Sequence, residues 1–309
     1  MANSLLLAVN ITLMYSAPLI LAALGGVITE RAGVINIGIE GMMTFGAFAG
    51  AAGAFYTGNP WAGFLFAGAA GAFLALFHAV ASVSFLGNQT ISGVAINFVG
   101  GGLSLFLSRL LFDGATTTMP VPHKLPKTLS LFFGEVSDPV LQNLNVDVTV
   151  PVALILALIV WYALYRTRAG PRLRAVGEHP PAADTLGVNV YLIRYAAVIL
   201  SGLFAGFGGA AQSIAVVSQF SPTVISGHGF IALAAVIFGG WTPQGAVGAC
   251  LTFGFAQALV VLLGGGVLPI PSQLLAMLPY VLTILVLILF VGRSSAPKAN
   301  GIPYQKGVR

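Results

Sequence analysis

Two stretches of this chain place polar groups where they can do chemistry. The first is Glu30-Arg31-Ala32-Gly33-Val34-Ile35-Asn36-Ile37-Gly38-Ile39-Glu40-Gly41, between apolar runs. Gly33, Gly38 and Gly41 disfavour a regular helix there, at up to about 1 kcal/mol per glycine relative to alanine. Non-helical backbone at membrane depth is tolerated only when it is buried in protein or lines a water-filled cavity. One reading is a broken helix lining a substrate path, with Asn36 and Glu40 as its polar contacts. The other is an aqueous loop over 29–40 carrying a local Glu30–Arg31 charge pair. The second stretch runs from Arg172 to Gly187. Pro180 and Pro181 suit a first helical turn and Gly187 the position past the end, so 180–186 reads as a two-turn helix. Two turns are unstable alone in water, so this helix needs support from its own protein or from a partner. It is either a docking helix, with Arg172, Arg174, Glu178, Ala182, Asp184 and Gly187 as its contacts, or a compact connector whose arginines only fix topology.

Scattered amides and aromatics complete the polar inventory. Asn88, Gln89, Asn97, Gln212, Ser213 and Gln257, with Phe98 and Phe207, lie in apolar windows. They suit hydrogen bonding and stacking on a polar aromatic cargo. They equally suit hydrogen bonds between helices. The four histidines, His78, His123, His179 and His228, have no metal-ligand spacing, and no metal or cofactor is expected. His78 and His228 read as hydrogen-bonded packing residues. No phosphate-binding G-x-x-x-x-G-K-[ST] loop, H-E-x-x-H or G-x-S-x-G motif occurs. ATP therefore does not bind in the phosphate-loop manner, and a hydrolase reading loses its support. Carboxylates are missing from the middle of each apolar run, which weakens an ion-coupled carrier.

The elements that position these groups are membrane helices. Of 309 residues, 57% are hydrophobic and only 7% charged, with a mean hydropathy of +0.95. An ordinary soluble domain carries about 25% charge. Windows 1–29, 41–108, 148–165 and 195–292 contain no Asp, Glu, Lys or Arg. A crossing needs roughly 20 apolar residues, so about eight to ten fit. The runs are continuous rather than alternating, which excludes a membrane barrel. The expected fold is all-α, one polytopic bundle over 1–309 with broken helices. Spans fall at about 4–24, 41–56, 61–85, 90–112, 148–165, 195–217, 246–263 and 273–291, with a short apolar piece at 229–238. The N-terminal run lacks a preceding Lys or Arg and reads as a retained span, not a signal peptide. Gly46 and Gly50, like Gly202 and Gly206, are four apart, which suits close helix packing.

Loop charge orients the bundle. Loop 166–194 sets five arginines, Arg166, Arg168, Arg172, Arg174 and Arg194, against Glu178 and Asp184. The tail 293–309 holds Arg293, Lys298, Lys306 and Arg309 and no acid. Loop 113–147 sets Lys124 and Lys127 against Asp113, Glu135, Asp138 and Asp147. Positive loops stay in the cytoplasm, so 166–194 and the tail face in and 113–147 faces out. The net charge of +5 is thus a topology signal beside a lipid bilayer, not a nucleic-acid footprint. An even number of crossings must separate the two inner segments, so the piece at 229–238 has to cross in abbreviated or tilted form. The side of the N-terminus stays open. The sole cysteine, Cys250, permits no intrachain disulfide.

The run 30–41 resembles the signature of permease subunits of nucleoside ABC importers, in the branched-chain amino acid and simple-sugar permease superfamily. Loop 173–188 and the segment 227–248, with Gly239-Gly240-Trp241-Thr242-Pro243-Gln244-Gly245, resemble the same family. The likeness covers nearly the whole chain, is to the shorter of two unlike permeases, and departs at His179, where the resemblance leads one to expect Asn. It implies an ATP-driven importer in a prokaryotic cytoplasmic membrane. A second permease completes the path, ATP-binding cassette subunits dock against 178–187, and an extracytoplasmic protein delivers the nucleoside. The chain itself is then no enzyme. The competing readings are a stand-alone ion-coupled transporter of a small polar solute and a membrane enzyme for lipid-linked substrates.

Overall fold

The computed structural model describes residues 2–134, 138–264 and 296–307, together with Leu274, 277–279, Val281 and 284–285. The expected last span, 273–291, and the break before it lie largely outside the described residues. Twelve helices are described: α1 (Ala2–Arg31), α2 (Ile39–Thr57), α3 (Pro60–Ala79), α4 (Gln89–Leu111), α5 (Thr128–Phe133), α6 (Pro139–Leu144), α7 (Thr149–Arg166), α8 (Ala169–Glu178), α9 (Pro180–Thr185), α10 (Val190–Ala210), α11 (His228–Phe238) and α12 (Pro243–Gly264). Helices α3 and α10 each end in a wider π turn, Val80–Ser84 and Ala211–Val216. Among the described residues no β-strand forms, only a single bridge between Lys127 and Asp147.

Six helices are long and apolar enough to cross a membrane: Leu5–Arg31, Pro60–Ser84, Gln89–Leu111, Thr149–Arg166, Val190–Val216 and Pro243–Gly264. Their large apolar side chains also point outward, including Leu65, Phe73, Phe106 and Leu158, which water would not tolerate over so many faces. Helix α2 is different. Its 19 residues are rich in glycine and alanine, and most are buried, because it is packed among α3, α4 and α10. Small residues make this possible: a Cβ on Gly46 would lie 2.5 Å from Gly206 Cα. The glycine spacing expected to bring helices together does so.

The ends of the bundle are defined by their contacts. At one end Asn10 Nδ2 donates to Asn143 O at 2.8 Å. There Tyr56 OH donates to Leu111 O at 2.6 Å, and Thr118 N–H to Phe220 O at 3.2 Å. This end carries the 113–147 loop and the N-terminus. The opposite end carries Arg31, the 166–190 segment and 296–307, joined where Ala299 N–H donates to Gly177 O at 2.9 Å. We refer to it as the basic end. The run 217–238 leaves the acidic-loop end as irregular backbone and finishes as α11 at the basic end. It is a discontinuous pass, which explains how an 11-residue helix satisfies the parity that loop charge requires. Counting α2 and this broken pass, the described residues make eight passes.

One boundary departs from expectation. Residues 29–31 are not part of a polar loop, because α1 continues through Arg31. No Glu30–Arg31 pair forms either. Trp241 Nε1 donates to Glu30 Oε2 at 2.5 Å, and Arg31 Nε donates to Trp241 O at 2.7 Å. Both side chains turn to the α11–α12 connection, where desolvated partners and backbone carbonyls satisfy them better than each other would.

Candidate functional site

The break between α1 and α2 is short, residues 32–38, and it is buried inside the bundle. Irregular backbone here exposes donors and acceptors that must find partners. Neighbouring helices supply them one by one. Thr29 Oγ1 donates to Val34 O at 3.1 Å. Gln89 Oε1 accepts from Ile35 N–H at 2.7 Å. His78 Nε2 faces Ile35 O at 3.0 Å, and its Nδ1 faces Ser92 Oγ at 2.9 Å. A carbonyl only accepts, so the ring carries a proton on Nε2. Asn97 holds both sides of the start of α2. Its Oδ1 accepts from Gly41 N–H at 2.8 Å and its Nδ2 donates to Ile37 O at 3.1 Å. Asn36 Nδ2 donates to Ser201 Oγ at 3.0 Å.

A second break meets the first. Gly227, with φ of 93°, lets the chain turn into α11, and the side chain that receives the new helix is Glu40. Its Oε1 accepts from Gly227 N–H at 2.6 Å and its Oε2 from Gly229 N–H at 2.7 Å. A carboxylate at a helix N-terminus satisfies orphan donors and complements the helix dipole. The approach is close enough that a Cβ on Gly229 would lie 2.6 Å from Glu40 Cα.

Of the residues expected to line a path, Asn36, Glu40, Gln89 and Asn97 are therefore brought together around the two breaks and engaged with backbone or Ser201. Some of their atoms stay free: Asn36 Oδ1 and Gln89 Nε2 are buried without a partner, as is Gln212 Oε1 in the π turn of α10. Asn88 and Phe98 are elsewhere. Asn88 is exposed and caps α4, accepting from Ile91 N–H at 3.0 Å. Phe98 is 78% exposed on the outer face of α4. Ser201 and the Glu30–Trp241 contact escape a linear reading, because their partners lie 165 and 211 residues away in the chain. His78 is a packing histidine, as its charge-free setting suggested.

The basic end carries the second site. The helix expected over 180–186 is α9, Pro180–Thr185, with Gly187 in the left-handed region at φ 80°. His179 caps the helix, its Nδ1 accepting from Ala182 N–H at 3.2 Å. One face is buried through Pro180 and Ala183. The other presents Pro181 and Ala182, with Leu186 82% exposed past its end. Arg172 and Glu178 are exposed, whereas Arg174 turns back so that its guanidinium lies 5.1 Å from the centre of the Tyr165 ring. Asp184 is half-buried, with Lys306 Nζ at 3.6 Å. That is the one ion pair among the described residues.

These two sites, buried breaks in a membrane bundle and a protruding short helix at its basic end, define a membrane translocation subunit. Comparison with known proteins says which one. The family model for the permease component of branched-chain amino acid transport systems matches residues 8–290, and the chain belongs to that family. It is 48% identical to the guanosine ABC transporter permease protein NupQ of Bacillus subtilis, over 96% of each chain. It is 41% identical to the nucleoside ABC transporter permease protein NupC of Lactococcus lactis, over 98% of each. It is 28% identical to a further Bacillus subtilis protein, the guanosine ABC transporter permease protein NupP, over 92% of this chain and 81% of that one. The chain is thus a multi-pass permease subunit of an ATP-binding cassette transporter, a translocation component rather than an enzyme. It works with ATPase and other permease subunits.

Proposed function

We propose that this chain is one of two unlike permeases of a nucleoside importer in a prokaryotic cytoplasmic membrane. The observation that carries the substrate class is the near full-length similarity to NupQ and NupC, whose names give guanosine and nucleoside. The unequal pairing rests on the likeness to NupQ at 48% and to NupP at 28%, both named as guanosine permeases of one organism. An extracytoplasmic binding protein delivers the nucleoside at the acidic-loop end. The basic end faces the cytoplasm, where ATPase subunits receive α9 through Arg172, Arg174, Glu178, Ala182, Asp184 and the Gly187 turn.

In this reading the path runs beside the two breaks. The free buried atoms of Asn36, Gln89 and Gln212 give it hydrogen-bonding capacity for base and ribose. Glu40, Asn97 and Asn88 set the walls by holding α11, α2 and α4, and Phe98 faces the second permease. Alternating access is then a rigid-body shift of packed helices, with the helix ends at the breaks as its joints. The test is uptake of a panel of labelled nucleosides and simple sugars in cells lacking the gene, then complemented with it. Nucleoside uptake that returns with the gene supports the proposal. Return of sugar uptake alone overturns the substrate class, and uptake by the purified chain without an ATPase overturns the importer reading.

A further inference from the structure

The C-terminal segment 296–307 has no part in the path or in α9, yet it touches both regions. Lys298 N–H donates to Glu178 Oε2 at 3.4 Å, and Ala299 N–H to Gly177 O at 2.9 Å. Asn300 Nδ2 donates to Glu30 Oε2 at 3.2 Å. Arg194 Nη1 donates to Ile302 O at 2.9 Å and Tyr191 OH to Tyr304 O at 3.4 Å. Lys306 Nζ lies 3.6 Å from Asp184. One short segment thus joins α8, α9, α10 and the end of α1. Its aromatic anchor, Tyr304, is buried with Val176, Ala183 and Val190, so the inner face of α9 packs in one cluster with the segment, α8 and the start of α10.

Arg194 shows how firmly the segment is seated. Its side chain is 1% exposed, and its Nε and Nη2 are buried without partners. No carboxylate pairs with it among the described residues, and the carbonyl of Ile302 is the acceptor it has. A buried guanidinium stripped of its acceptor is strongly unfavourable, so the charge on α10 holds the segment in place.

We infer that 298–306 is a strap that transmits displacement of α9 to the end of α1, with Arg194 and Tyr304 as its positioning residues. From Asn300 the contact continues through Glu30 to Trp241 at the head of α12, next to the broken pass. The inference rests on the docking reading of α9. A coupling between two sites needs a physical link that both bias, and here the link is a continuous set of bonds.

The test uses the complete transporter, with both permeases, ATPases and binding protein, in proteoliposomes. Three variants are compared: deletion of 297–309, Tyr304→Ala and Tyr304→Phe. Coupling free energies between sites commonly correspond to about 5–150-fold. Nucleoside taken up per ATP hydrolysed is expected to fall about fivefold or more in the deletion and in Tyr304→Ala, with the ATPases still co-purifying. Tyr304→Phe keeps the packing and loses only the hydroxyl beside Asp184, so its uptake per ATP should stay much closer to wild type than that of Tyr304→Ala. Wild-type uptake per ATP in the deletion overturns the strap, and so does loss of the ATPases from it, which would make the segment part of the docking surface. A fourth variant, Asn300→Ala, does not depend on tolerance of truncation: it removes the bond from the strap to Glu30 at the end of α1 and leaves α9 untouched. Uptake per ATP should fall with the ATPases still co-purifying, and wild-type uptake per ATP in this variant overturns the proposal. Leu186→Asp tests the docking reading separately: it should release the ATPases, and retention of them sinks that reading whatever the strap does.

Discussion

At the scale of single residues, amides in this protein do the work that water does in a soluble loop. Asn97 is the clearest case, since it alone satisfies Gly41 N–H and Ile37 O. Asn97→Ala leaves both buried groups without that partner, at about 1–3 kcal/mol each. Asn88→Ala removes one exposed cap, worth about 1 kcal/mol. The melting temperature of the purified permease should therefore drop clearly more for Asn97→Ala than for Asn88→Ala. Equal shifts would mean that water reaches the break. The residue types at these positions were legible in the sequence, and so were the two uses open to them. Which use prevails was not, because Asn36 meets Ser201 and Glu30 meets Trp241 across 165 and 211 residues, and no local period records such pairs.

At the scale of elements, the two breaks depend on each other. Helix α11 begins inside the bundle, and both of its carboxylate-bound donors are received by α2 through Glu40. Glu40→Gln keeps one acceptor oxygen and loses the charge that complements the helix dipole. Glu40→Ala loses both acceptors, and helix-cap losses run to about 0.5–2 kcal/mol. The expected order of thermal stability is wild type, then Gln, then Ala. Protease sensitivity of 217–227 should rise in the same order, and an unchanged Ala variant would show that Glu40 does not hold α11. Helix α9 was readable in advance because proline and glycine punctuate it at 180, 181 and 187. The extension of α1 through Arg31 was not, since Glu30 and Arg31 look like loop residues until Trp241 is placed beside them. At α9, the double variant Arg174→Ala with Asp184→Ala should leave membrane insertion intact while separating ATP hydrolysis from uptake. The two side chains act differently, with Arg174 stacked on Tyr165 and Asp184 facing Lys306. Normal uptake by the double variant would remove both from the coupling role.

For the whole molecule, charge and parity fix one arrangement. Loop charge alone required an even number of crossings between 166–194 and the tail, and the sequence offered a segment too short to supply one. The broken pass supplies it, because Glu40 makes a helix start tolerable inside the bundle and the preceding irregular run returns to Thr118 and the 113–147 loop. The same contacts place the N-terminus with that loop through Asn10 and Asn143. Sidedness therefore follows for every described element once one loop is located. In a Cys250→Ser background, single cysteines at Thr117 and at Gly187 are on opposite ends of the bundle, and both positions are exposed or half-buried. A membrane-impermeant maleimide added to intact cells should label Thr117→Cys, whereas Gly187→Cys should label only after the membrane is opened. Asn3→Cys, on the first turn of α1, should follow Thr117→Cys. Labelling of Gly187→Cys from outside would invert the molecule and detach α9 from any cytoplasmic ATPase. Labelling of Asn3→Cys with Gly187→Cys would instead mean that α1 does not make a full pass, without touching the parity between 166–194 and the tail.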